Sequence, residues 1–220
     1  MIDYPQLLEL MRARRSVRRF QDRPVDRDDL LRLIEAARWA PSNHNRQPWR
    51  FLVCENRARI GALADAVGRS LSEKVRTLPP VAAAHSGEIL HYATLFGSAP
   101  AVIVVQHRQP VSLAAALLAD VPNPLLTSGE PLSTAMAVQN VLLAAQTLGL
   151  GACVLTGPLL APAPLAAALT VPAGFDLTCL VAIGYPAEEP AAPRRKSVEQ
   201  IAEFDTDRDQ AMRPSPGELS

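Results

Sequence analysis

The stretch Ala40–Cys54, APSNHNRQPWRFLVC, passes from one helix end to a run of bulky apolar residues, with a proline on each side of a polar loop. Proline disfavours helical conformation in the residue before it, so Pro41 closes the helix built by the preceding DRDDLLRLIEAARWA. Asp26 stands at the N-cap of that helix with Asp29 three residues on, and Leu30, Leu33, Ile34 and Ala37 form its inner face. Trp49–Cys54 reads as a buried strand. Between them, Ser42, Asn43, His44, Asn45 and Gln47 offer hydrogen-bonding groups on a loop stiffened by Pro41 and Pro48. Such a loop is either an ordinary connector folded by Asx-turns or a surface that presents amides to a polar ring edge. No Ser or Cys partner is suggested for His44, which is not read as a catalytic base.

Working outward, Tyr4, Leu7, Leu8 and Met11 follow the helical repeat, so the chain opens with an amphipathic helix ending near Arg12. RRSVRRF, Arg14–Phe20, comes directly after it. Downstream of the first strand, helices are expected over Arg57–Val67 and Ile89–Phe96, and a second strand in APAVIVVQ from Ala99. Residues 107–131 contain Pro110, Pro122, Pro124 and Pro131, with at most a short helix at Leu113–Ala119; a proline-punctuated excursion of this length reads as a functional lid. Leu132–Leu148 is the longest apolar helix, followed by Gly149, Gly151 and a strand ACVLT. A short helix near Leu165–Leu169 precedes the last strand, LTCLVAIGYP. From Pro190 the chain becomes a polar tail whose end, RPSPGELS, is expected to be disordered. Four strands interrupted by helices at irregular spacing imply an α+β fold in one domain spanning 1–220.

Composition agrees with one soluble core. The chain has 220 residues, 48% of them hydrophobic and 20% charged, as in ordinary globular domains. Lys+Arg and Asp+Glu are 22 each, so no bulk field draws the chain to nucleic acid or an anionic membrane. The window around Leu132–Leu155 carries Ser133, Thr134, Gln139, Asn140, Gln146 and Thr147, which suits a buried helix and not a membrane span. Cys54, Cys153 and Cys179 show no metal-ligand spacing and read as buried, reduced thiols, hence a cytoplasmic protein. The first 20 residues lack the apolar core of a signal peptide.

Three clusters stand out. Arg14, Arg15, Ser16, Arg18 and Arg19 concentrate positive charge beside a hydroxyl in a neutral chain. They form a phosphate-holding clamp, a solvated basic surface paired with Asp22, Asp26, Asp28 and Asp29, or a nucleic-acid arm; the shortness of the patch and its lack of aromatics count against the last. The second cluster is the loop already quoted. The third, GLGACVLTGP at Gly149–Pro158, precedes a strand instead of opening a helix, so it is no dinucleotide fingerprint. Its glycines end the long helix and let backbone approach backbone or ligand. GxSxG, HExxH, Walker A and paired Cys/His spacings are absent, which leaves hydrolysis, metal catalysis and phosphoryl transfer without support.

Taken in order, these motifs resemble the FMN-dependent nitroreductase family. RRSVRRF is similar to its flavin-phosphate motif, APSNHNRQPWRF to its APSxxNxQPWxF signature, GLGACVLTG to its flavin-edge segment, and VAIGYPAEEPAAPRRKSVEQIAEF to its last strand and basic tail; the likeness spans about residues 4–204. The resemblance implies a mixed sheet flanked by helices in an intertwined homodimer, with FMN in a groove at the subunit interface. It implies that Arg14, Arg15, Ser16 and Arg18 hold the phosphate and ribityl end. Pro41, Ser42, Asn43 and Asn45 would reach the flavin rings from the partner chain, and Thr156 and Gly157 would lie at the redox-active edge. Arg194 and Arg195 would return to the phosphate; where some members carry a tail lysine, this chain has Pro193, which leaves the charge to Arg194–Lys196. The long helix would form dimer core, with Asn140 as a satisfied core amide. The implied activity is NAD(P)H-dependent reduction of a nitroaromatic, quinone or related small acceptor. Alternatives are a dehydrogenase, a dehalogenase or a flavin-fragmenting enzyme of the same fold, and a non-catalytic flavin-binding protein.

Overall fold

In the computed structural model, which describes residues 2–79, 86–109 and 129–204, the chain divides into two units, Met1–Pro190 and Ala191–Ser220. The first unit is built on four strands, β1 (Trp49–Cys54), β2 (Ala101–Arg108), β3 (Gly151–Leu155) and β4 (Phe175–Gly184). They pair antiparallel in the order β1-β2-β4-β3. An isolated parallel bridge from Ser16 to Ala152 on the β3 edge makes the sheet mixed.

Both faces of the sheet are apolar, so both must be covered, and alternate residues of each strand serve opposite layers. Ile103, Val105, Val181 and Ile183 pack against Leu30, Leu33 and Ala37 of α2 (Arg27–Arg38) and against Ala137, Val141 and Ala145 of the long helix Gly129–Thr147. Val102, Val104, Leu180 and Ala182 meet Ile60, Leu63 and Val67 of α3 (Arg57–Arg76), with Phe96 and Leu165. The remaining α-helices among the described residues are α1 (Tyr4–Ala13), α4 (Ser86–Thr94) and α6 (Pro162–Ala168), and the long helix Gly129–Thr147 is α5. This is the expected α+β architecture of a sheet between helical layers. No helix among the described residues is long and apolar enough to cross a membrane.

Several element bounds differ from the sequence reading for physical reasons. The helix expected to stop at Val67 runs on to Arg76, because Val67 and Leu71 continue its buried stripe past Gly68. The long helix begins at Gly129, not Leu132; Pro131 falls in its first turn, where the missing N–H has no intrahelical partner to lose. Asp26 is the N-cap of α2 but makes no side-chain cap bond, and Asp29 pairs with Arg32 at 3.0 Å instead. Cys153 and Cys179 are buried, while Cys54 is half-buried. Burial pushes the Cys179 thiol up to about 12. The short helix expected at Leu113–Ala119 and the terminal RPSPGELS lie outside the described residues, as does most of the 107–131 segment.

In the second unit, a 3-10 turn at Val198–Gln200 is closed by Ser197 at its N-cap. Arg194, Arg195 and Lys196 are exposed there.

Candidate functional site

α1 opens on a capping box, Asp3 with Gln6, and ends where the Arg14 N–H donates to the Leu10 carbonyl at 3.1 Å. The chain then extends along the β3 edge: Ser16 bridges Ala152, and the Val17 N–H donates to the Ala152 carbonyl at 3.1 Å. Gly151 makes this approach possible, since a Cβ there would lie 2.7 Å from Val17 side-chain atoms. A second bridge, Phe20 to Pro186, and the Gln21 N–H on the Tyr185 carbonyl at 2.9 Å fix the far end. The arginine segment is thus held at both ends against the sheet's edge.

Arg14 and Arg15 are half-buried and Arg18 is exposed. Arg15 donates to the carbonyls of Arg12 and Arg14. The Arg18 guanidinium stands 5.4 Å from the centre of the Tyr92 ring, and Arg19 pairs with Glu188 at 3.0 Å. Two of the four aspartates that could neutralise the cluster are used elsewhere: Asp22 binds Arg57 and Asp29 binds Arg32. Among the described residues no ion pair reaches Arg14, Arg15 or Arg18. A basic surface neutralised by these aspartates therefore describes none of Arg14, Arg15 and Arg18 among the described residues.

β3 ends at Leu155, and Thr156 begins a 3-10 turn over Gly157–Leu160 in which the Leu159 N–H donates to the Thr156 carbonyl at 3.0 Å. The first N–H groups of such a turn have no partner within it. Gly157 presses on α4; a Cβ added there would sit 3.1 Å from the Ala93 Cα. Arg18 meets Tyr92 and Gly157 meets Ala93, so the first and third clusters converge on consecutive residues of one helix.

Beside them opens a cleft of about 1080 Å³ lined by Arg18, Asp65, Arg69, Ser72, Arg76 and His91. The α3 residues among these were not singled out from sequence, although Asp65, Arg69, Ser72 and Arg76 share one helical face by spacing. Ending α3 at Val67 left Arg69, Ser72 and Arg76 outside the helix. Glu188 was also missed: it lies two residues beyond a strand-end proline, and nothing local ties it to residues 170 positions earlier.

Ser42, Asn43 and Asn45 form a tight turn elsewhere. His44, Asn45 and Gln47 take positive φ of 51°, 52° and 47°, a conformation costing roughly 1–3 kcal/mol each outside glycine. Bonds around the turn sustain it: the Asn45 N–H donates to the Ser42 carbonyl at 3.0 Å, and the Gln47 N–H to the Ser42 Oγ at 3.0 Å. The first turn of α5 anchors it from outside. Ser133 Oγ accepts from the Asn43 N–H at 3.2 Å, and the Glu130 carboxylate, almost wholly buried, pairs with Arg46 at 3.2 Å. Pro41, Asn43, His44 and Asn45 remain exposed.

Within the chain the loop and Arg15 occupy opposite ends of α5. Ser133 holds the loop, while Gln146 lines a second cleft, about 820 Å³, with Ala13, Arg15 and Val17. At 1.5 Å rise per residue these positions are roughly 20 Å apart. The fold therefore brings Arg18 and Gly157 to one helix, places Arg15 in the second cleft, and sets the loop of Pro41, Ser42, Asn43 and Asn45 at the other end of α5. Arg194 and Arg195 belong to the second unit. As expected, Gly149 ends α5 at φ 69°, with the Leu150 N–H donating to the Ala145 carbonyl at 2.9 Å, and no helix follows it to make a dinucleotide site.

Comparison with known proteins agrees with this architecture. The model of the nitroreductase family matches residues 11–185. The chain is 32% identical over 184 residues to a 5,6-dimethylbenzimidazole synthase of Rhodospirillum rubrum, covering 84% of this chain and 83% of that protein. It is 30% identical over 195 residues to an NADH dehydrogenase of Thermus thermophilus, covering 86% and 90%. Among solved structures, a BluB-like flavoprotein from Clostridium difficile 630 superposes with a TM-score of 0.78 at 27% identity, covering 91% of this chain and 99% of that one.

Proposed function

Because the chain belongs to the nitroreductase family, we propose that it is an FMN-dependent oxidoreductase working as a homodimer, with NAD(P)H as reductant and a small nitroaromatic, quinone or related molecule as acceptor. The residues fit such a cofactor on their own chemistry. A phosphate of charge near −2 needs several cations, and Arg14, Arg15 and Arg18 offer guanidinium groups that no described carboxylate neutralises. That is the observation on which the reading rests most heavily.

In this reading Arg14, Arg15, Ser16 and Arg18 hold the phosphate and ribityl end. Thr156 and Gly157 present the turn's backbone amides to the redox-active edge. Pro41, Ser42, Asn43 and Asn45 come from the partner subunit and meet the ring system; their distance from the arginines of their own protomer supports this division. A second copy also covers apolar side chains left in water, Leu31 and Trp39 on α2 and Leu132 and Met136 on α5. The Asn140 amide, donating to the Ala36 carbonyl at 3.0 Å, ties these two helices together behind that face. Bound FMN supplies two-electron transfer from NAD(P)H to the acceptor, so the chain needs no acid–base pair at the reacting atoms. Its own residues grip the anion, orient the ring and shape the cleft from which water is displaced.

The test is spectroscopic. The purified protein is expected to show, or to take up, a flavin absorbance in the visible, and to lose it anaerobically on addition of NADH or NADPH. A colourless protein that does not take up FMN contradicts the proposal. A second reading, formation of 5,6-dimethylbenzimidazole, is favoured by the relative from Rhodospirillum rubrum. It predicts that compound among the products of the FMN-loaded protein incubated with NAD(P)H in air, with negligible turnover of nitroaromatic or quinone acceptors.

A further inference from the structure

We propose that Glu188 is the positioning residue of the arginine clamp, setting the direction in which Arg18 meets the FMN phosphate; this rests on the FMN reading of the same site. Glu188 Oε1 accepts from two consecutive backbone amides, Arg18 at 2.6 Å and Arg19 at 3.1 Å, and Oε2 accepts from the Arg19 Nε at 3.0 Å. In an extended strand successive N–H groups point to opposite sides. Here both turn to one oxygen, so the chain bends between the two bridges, Ser16 to Ala152 and Phe20 to Pro186. Paired amides of this kind form an anion-holding nest, and in this chain the anion is the protein's own carboxylate. The bend coincides with Arg18 over Tyr92 in the wall of the 1080 Å³ cleft.

The charge arithmetic explains how an acid can stand beside an anion site. A carboxylate there would repel a phosphate unless its charge were already matched. Glu188 is matched by Arg19, which lines the same cleft but whose guanidinium is already engaged by the carboxylate. Arg14, Arg15 and Arg18 are left for the ligand. Reach, not charge, is then the property of Glu188 that matters.

The experiment measures the FMN dissociation constant of the full-length apoprotein by quenching of flavin fluorescence, with a thermal melt of each apo variant. Arg18→Ala and Glu188→Ala are each expected to weaken binding about tenfold, and the double variant to be within about twofold of Arg18→Ala alone, because the two act as one unit. Glu188→Gln keeps an oxygen for both amides and is expected to bind within about threefold of the parent. Glu188→Asp keeps the charge but cannot reach, and is expected to resemble Glu188→Ala; it carries the test if the alanine variant does not fold. FMN affinity unchanged or tightened in Glu188→Ala and Glu188→Asp overturns the proposal. So do losses that multiply in the double variant. An Arg18→Ala protein that binds FMN like the parent overturns the FMN reading itself, whatever Glu188 does.

Discussion

Arg14 and Arg18 differ from Arg12 in what surrounds them, although all three lie within seven residues of sequence. Replacing Arg14 or Arg18 by alanine is expected to weaken FMN binding several-fold or more, since a hydrogen bond to a charged group contributes about 1.5–3 kcal/mol. Arg12→Ala is expected to leave it nearly unchanged, and a fluorescence titration of the three separates a clamp from diffuse electrostatics. Gly151 acts on the same strand from behind. An alanine Cβ would meet the stiff Val17 side chain at 2.7 Å, so Gly151→Ala is expected to cost about 1–3 kcal/mol in a denaturant melt and to lower FMN affinity with it. At this scale the arginine cluster was legible because charge density and a hydroxyl stand out in a neutral chain. What Arg19 does was not: it is exposed yet tied to Glu188, and an ion pair spanning 169 residues leaves no local trace.

Among elements, the loop after α2 was legible as rigid from its two prolines, but not for its main device. Three consecutive-neighbourhood residues in left-handed backbone have no sequence signature apart from asparagine's tolerance of that region. The support from Ser133 and Glu130 depends on where α5 begins, and by sequence Pro131 reads as a break before it. β2 carries another feature that sequence could not show. Its His107 Nδ1 is hydrogen-bonded to the Thr178 hydroxyl at 2.8 Å, and burial lowers its pKa from the ordinary 6.5, against the opposing pull of Asp176 and Glu130. The unfolded chain therefore takes up this proton first as pH falls through 6.5, and the native state loses stability until the lower folded value is passed. Thermal melts between about pH 7.5 and 5.5 are expected to fall more steeply for the parent than for His107→Gln. Equal slopes would show that the imidazole is not held neutral by the fold.

For the molecule as a whole, the α+β class and the strand count could be read from the alternation of apolar runs with helical repeats. The topology could not, because the order β1-β2-β4-β3 depends on pairings far apart in the chain. Nor could sequence say that the loop and Arg15 lie at opposite ends of α5, the separation on which the proposal of a second subunit rests. Met136 is exposed on that helix, so Met136→Glu leaves the protomer core intact while burying a charge in the proposed interface. Light scattering is expected to show dissociation of the dimer, with FMN affinity falling in parallel; a monomer that still binds FMN like the parent would separate the site from the interface.

The division of the site between subunits is tested most directly by mixing two defective proteins. One carries Arg18→Ala; the other carries Asn43→Ala and Asn45→Ala. Neither alone is expected to bind FMN tightly. After unfolding and refolding together in equal amounts, half the dimers are mixed, and each has one intact site and one doubly damaged site. High-affinity FMN binding is then expected to return at about one site per four protomers. A mixture that binds no better than its parents would contradict an FMN held by the arginines of one subunit and the loop of the other.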